Sequence, residues 1–95
     1  MKPRLTVNLT NNGVLEVWLN EAGRDLFVEK LRNLSRENDH FHLQPEGFGD
    51  DVPTQSRVYR KGDQVLKWGK VLFRPDDWDR EYFPHVFTPA GTPDG

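Results

Sequence analysis

Hydrophobic and polar residues alternate strictly near the N-terminus. Leu5, Val7 and Leu9 are separated by Thr6 and Asn8, and Leu15, Val17 and Leu19 by Glu16 and Trp18. A period of two predicts two half-buried strands. In an antiparallel pair, opposed residues share a face, so Leu9 should lie opposite Leu15, Val7 opposite Val17 and Leu5 opposite Leu19. That register leaves Asn11-Asn12-Gly13 as a three-residue loop, with Gly13 at the position that needs a left-handed backbone. It also puts Trp18 with Thr6, Asn8 and Glu16 on the face away from the aliphatic triples. Either another segment or a partner must cover Trp18 there.

The period then changes. Asn20 is an N-cap candidate, Glu21 and Asp25 put negative charge near the positive end of a helix dipole, and a helix is expected from about Glu21 to about Arg36. At about 100° per residue, Phe27, Leu31 and Leu34 form one stripe flanked by Leu26 and Val28, with Asp25, Glu29, Arg32 and Arg36 opposite. Gly23 lies beside that stripe and weakens the helix locally, which points to a close approach between helix and hairpin backbone.

Beyond a turn at Glu37-Asn38-Asp39, the run His40-Phe41-His42-Leu43-Gln44 reads as a short strand closed by Pro45, with both histidines on the face opposite Phe41 and Leu43. Glycine, proline and acidic residues dominate from Pro45 to about Gln55, which predicts a long loop. Ser56 to Arg60 then reads as a short strand, Lys61-Gly62-Asp63 as a turn, and Gln64 to Phe73 as a central strand bulged at Gly69, because it carries apolar groups on both faces. Asp76 to Phe83 predicts one helical turn capped by Asp76. The expected architecture is α+β: a mostly antiparallel sheet of about five strands with one main helix on one face, in the order ββαβββ. One domain is expected over residues 1–87, followed by a flexible Pro- and Gly-rich tail at 88–95.

Composition narrows the function classes. The chain has 95 residues, of which 35% are hydrophobic and 12% aromatic, enough for one modest core despite a mean hydropathy of -0.80. Its formal charge of -2 comes from 13 basic and 15 acidic residues without a long basic run, which argues against nucleic acid as a partner. With no cysteine there is no disulfide framework and no thiolate metal site, and a cytoplasmic location is expected. No stretch has the apolar length of a signal or membrane segment, so membrane association is not expected either.

His40-x-His42 is the spacing that most resembles a metal site, since two residues apart on a strand puts both imidazoles on one face. A third ligand would have to come from Asp39, His85 or the acidic residues at 46–51. The expectation is therefore two hydrogen-bonded histidines, with no metal and no cofactor. Ser35 and Ser56 are not set beside a base, so no catalytic residue is assigned. Gly47-Phe48-Gly49 lacks the lysine and following helix of a phosphate loop. Glu46, Asp50 and Asp51 lack the alternation of a calcium loop. The cluster Asp76, Asp77, Trp78, Asp79, Glu81, Tyr82 and Phe83 has the mixture of aromatic anchors and charge that protein interfaces use, or else covers one end of the core.

The motif Asp39-His40-Phe41-His42-Leu43, preceded by an amphipathic helix and an N-terminal hairpin, resembles the immunity protein 32 family of bacterial polymorphic-toxin systems. In that family a strand of this kind follows the helix, and the resemblance spans roughly residues 4–44. It implies a bacterial protein that binds and neutralises a cognate toxin, with His40 and His42 matching the motif. The expected function is thus stoichiometric protein binding without enzymatic activity, through Trp18, His40, His42, Asp76, Asp77 and Trp78. An adaptor or regulatory domain of a larger assembly is the alternative, and a histidine-based metal enzyme a third.

Overall fold

The computed structural model describes residues 2–49 and 51–92. Residues 93–95 of the expected tail and Asp50 of the expected loop lie outside them. The hairpin forms as the alternation requires. β1 (Leu5–Leu9) and β2 (Leu15–Leu19) are antiparallel, with Leu5 opposite Leu19, Val7 opposite Val17 and Leu9 opposite Leu15. The Thr10 amide donates to the Val14 carbonyl across the loop (2.9 Å), and Gly13 has a φ of 81°.

Helix α1 (Glu21–Arg32) follows at once. Asn20 caps it by accepting the Gly23 amide at 2.8 Å, and the same oxygen accepts the Arg4 amide at 2.9 Å. One side chain therefore fastens the helix start to the start of β1. The fit is close: a Cβ on Gly23 would lie 2.5 Å from the Arg4 carbonyl oxygen, which explains glycine there in spite of its poor helix propensity. The helix ends four residues before the expected Arg36. Asn38 donates its side-chain amide to the Asn33 carbonyl (3.0 Å) and its backbone amide to Ser35, so Ser and Asn side chains close a turn that competes with further helix.

The remaining strands are β3 (His40–Pro45), β4 (Val52–Thr54), β5 (Gln64–Leu66) and β6 (Gly69–Leu72). The class is α+β, but the sheet is mixed and curled. Its order is β2-β1-β4-β3-β6, with β5 on β1, and β4 runs parallel to both β1 and β3. β5 and β6 are successive pieces of one bent strand, which pairs antiparallel with β1 through β5 and with β3 through β6. The single strand expected over 64–73 is thus broken at Lys67-Trp68. Thr54 Oγ1 pins the break by donating to the Lys67 carbonyl at 2.7 Å.

Two strand expectations are corrected by this pairing. β4 falls inside the stretch expected to be loop, because Val52 and Thr54 turn inward beside the core while Pro53 needs no ladder donor of its own. Ser56 to Arg60 forms no strand. Instead it crosses the Thr6, Asn8 and Trp18 face, where Tyr59 stacks on Trp18 with ring centroids 4.1 Å apart. Consequently the central strand is β1, from which Leu5, Thr6, Val7 and Asn8 are all buried.

Leu5, Val7, Phe41 and Val52 make the core, packed by Leu26, Phe27 and Leu34 of the helix side and by Leu43, Leu66 and Val71 of the strands. Phe27 meets Phe41 edge to face at 5.8 Å. Leu31 and Val28 are exposed, as are Leu15, Val17 and Leu19 of β2. The aliphatic face of β2 is therefore not the buried face that alternation predicts. α1 packs against β2 and β4 yet leaves Leu15, Val17 and Leu19 largely open.

Candidate protein-binding face

Pairing of β3 with β6 assembles one outer face. His40 is opposite Leu72 and His42 opposite Lys70, so these four side chains project to one side, while Phe41 and Val71 project to the core. The histidines stand edge to face with centroids 5.1 Å apart. Each is held by a separate carboxylate: His40 Nδ1 lies 2.8 Å from Asp39 Oδ1, and His42 Nδ1 lies 3.4 Å from Asp51 Oδ2. Among the described residues no group of three His, Cys, Asp or Glu side chains is arranged to hold a metal ion.

Asp51 does more than pair with a ring. Its carboxylate accepts the His42 backbone amide at 2.7 Å and lies 3.3 Å from Lys30 Nζ of α1, tying the end of the 46–51 connection to both β3 and the helix. The His42 amide holds the Asp51 carboxyl below the ordinary carboxylate range, opposed by burial and reinforced by Lys30. Hydrogen bonding to His40 lowers Asp39 in the same sense.

Past β6 the chain enters a short arm. Helix α2 (Asp76–Tyr82) and the 3-10 segment Pro84–Phe87 contain no buried residue. Asp76 does not cap α2: Pro75 precedes the first turn, no side-chain cap bond forms, and Asp76 is itself the first helical residue. Asp77 joins Arg36 in a two-bond pair at 2.8 and 2.9 Å, which lowers the Asp77 pKa through that hydrogen bonding. Arg74 binds Asp79 at 3.0 Å and lies over both Trp78 and Phe83, while Arg36 faces the Trp78 ring from 5.7 Å. Two arginines thus grip the base of the arm, Arg80 stands over Phe87 at 5.2 Å, and the outer residues remain in part exposed, with Tyr82 66% exposed and Phe83, Val86 and Phe87 also exposed. A second open aromatic pair, Phe48 against Trp68 at 5.2 Å, stands where β6 begins, and Trp68 shares a shallow hollow with His42 and Lys70.

Of the residues expected from sequence, His40, His42, Asp76, Asp77 and Trp78 lie along β3, β6 and the arm that leaves β6. Trp18 does not join them: it lies under Tyr59, with Arg60 5.4 Å from its ring and its own Nε1 buried without a hydrogen-bond partner among the described residues. The polar residues beside it form a network, in which Asn8 Nδ2 donates to Glu16 and Asp63 (both 3.1 Å) and Arg60 pairs with Glu16 and Asp63. Trp68, Lys70 and Leu72 complete the outer face and were not singled out by pattern. Their exposure follows from which strand edge they pair with, and nothing local in the sequence carries that information.

Comparison with known protein families, with characterised proteins and with solved structures finds no match to this chain. No helix among the described residues is long and apolar enough to cross a membrane.

Proposed function

We propose that this chain is a small protein-binding domain acting in the bacterial cytoplasm as an immunity protein, which neutralises a cognate toxin by covering part of its surface in a one-to-one complex. The observation that carries the reading is the α2 arm. Tyr82, Phe83, Val86 and Phe87 are left open on a segment with no buried residue, held by Arg36 and Arg74, and bordered by Asp76, Asp79 and Glu81. Rigid aromatic anchors in a charged rim are the features that concentrate binding energy at protein interfaces. The contiguous His40, His42 and Trp68 face lies on the strands from which the arm departs, and the Asp39-to-Leu43 motif that resembles immunity protein 32 sits within it. The small net negative charge of -2 favours encounter with a basic partner such as a nuclease toxin.

Co-expression with the toxin encoded beside the gene tests this. The wild-type chain should restore growth and co-purify with the toxin. The double substitution Tyr82→Ala and Phe87→Ala should weaken the complex by about 100-fold or more, corresponding to roughly 3 kcal/mol across two anchors. Its melting temperature should stay near wild type, since neither ring is buried. Growth rescue and affinity unchanged in that variant would remove the arm from the interface, and absence of any complex would defeat the immunity reading.

A further inference from the structure

Among the described residues no strand pairs with the outer edge of β2, which is apolar, and its sequence is complementary to itself. In the β1–β2 ladder, Thr10 bonds Val14 at one end and Asn20 donates to the Arg4 carbonyl at the other. Antiparallel bonding alternates, so Glu16 and Trp18 direct their backbone groups to β1, whereas Leu15, Val17 and Leu19 direct theirs outward. Those three residues are 59%, 44% and 39% exposed. Strand edges are usually guarded by lysine, proline, a bulge or a covering element. Among the described residues this one has none of them: Glu16 is its single charge, and that side chain turns to the opposite face, toward Asn8 and Arg60.

The helix extends the same surface. Lys30 on one flank of α1 reaches Asp51 beside β4, while Arg24 on the other flank borders Leu19. Val28 and Leu31 share the Arg24 flank, at about 100° per residue, and are exposed as well.

We infer that two copies of this chain pair antiparallel through the β2 edges, about a two-fold axis at Val17. Backbone direction allows only outward-facing residues to oppose one another. In the register centred on Val17, Val17 meets its own copy and Leu15 meets Leu19, so all three outward-facing residues of each strand find partners. Glu16, already paired with Arg60 of its own chain, then lies opposite the partner's Trp18. A slip that places Leu15 opposite Val17 would set Glu16 against Glu16 and leave Leu19 unmatched. Apolar matching and the avoidance of Glu16 against Glu16 therefore select the same register. This inference rests on the β2 edge and is independent of the toxin-binding reading.

Analytical ultracentrifugation of the full chain should show a dimer, and Val17→Lys should shift it to a folded monomer with unchanged circular dichroism. Cysteine substitution checks the register, because the chain has no cysteine of its own. Bonded antiparallel partners have Cα atoms about 5.5 Å apart, within disulfide reach, so Val17→Cys should crosslink to a covalent dimer. Leu15→Cys should not, because the two copies of residue 15 would be roughly 13 Å apart along the strands. A wild-type monomer across the accessible concentration range overturns the proposal, and so does a dimer in which Leu15→Cys crosslinks as fast as Val17→Cys.

Discussion

At Gly13 and Gly23 glycine is needed for two different reasons. Gly13 has a φ of 81° and open space around its missing Cβ, so a side chain there costs only backbone strain. Gly23 has a helical backbone but no space, because the Arg4 carbonyl oxygen occupies the Cβ position to within 2.5 Å. Gly13→Ala should accordingly lower stability by about 1 kcal/mol. Gly23→Ala should also destabilise, although alanine improves helix propensity by roughly 1 kcal/mol, since the Arg4 carbonyl must move and it accepts the Asn20 amide (3.2 Å). Denaturant titration of both variants checks the pair; a Gly23→Ala protein more stable than wild type would show that the helix–hairpin junction yields without cost. The need for a left-handed residue at Gly13 was legible from the hairpin register. The close approach at Gly23 was legible as a hint, because glycine inside a helical pattern calls for a packing reason.

At the scale of elements, β1, β2 and the start of α1 were readable because their determinants are local: alternation, a loop glycine and an Asn cap. What misled was the depth of burial. A wheel places Leu31 on the apolar stripe, yet it is 45% exposed, whereas Phe41 of β3 is 4% exposed against Phe27. Leu31→Ala should therefore cost less than about 1 kcal/mol and Phe41→Ala about 3 to 5 kcal/mol, measurable as shifts in the urea midpoint. A larger loss at Leu31 than at Phe41 would contradict this core. β4 and the 56–60 segment depart from their local pattern for a related reason. Val52-Pro53-Thr54 lacks the length and composition of a strand and becomes one because both of its edges find partners, while Ser56 to Arg60 is held across β1 by the Tyr59 ring and the Arg60 ion pairs.

Over the whole molecule, Asp51 joins three elements that are distant in sequence. Its carboxylate meets the His42 amide of β3 and the Lys30 ammonium of α1 from the end of the connection into β4. Because its folded pKa lies below the ordinary value, the stabilisation is complete above about pH 4 and is lost as pH falls through the folded value. Wild-type stability should decline as acid protonates Asp51, and Asp51→Asn should start lower at neutral pH and show a shallower decline below about pH 4. Equal slopes in the two proteins would separate the carboxylate from acid unfolding. The arm formed by α2 and Pro84–Phe87 belongs to this scale as well. Its grip depends on Arg36 and Arg74, one from the turn after α1 and one from the chain after β6.

By itself the sequence determined the hairpin register, the helix start, the strand carrying His40 and His42, and the α+β class, since each depends on residues close along the chain. Tertiary structure alone decided that β1 is central, that β4 lies parallel between β1 and β3, and that the 64–72 chain bends at Lys67-Trp68 to pair with both. It also decided that Trp18 is covered by Tyr59 while the aliphatic face of β2 lies open. Periodicity records which residues share a face of an element. Which face is buried depends on which distant segments come to lie against it, and no pattern within the element encodes that.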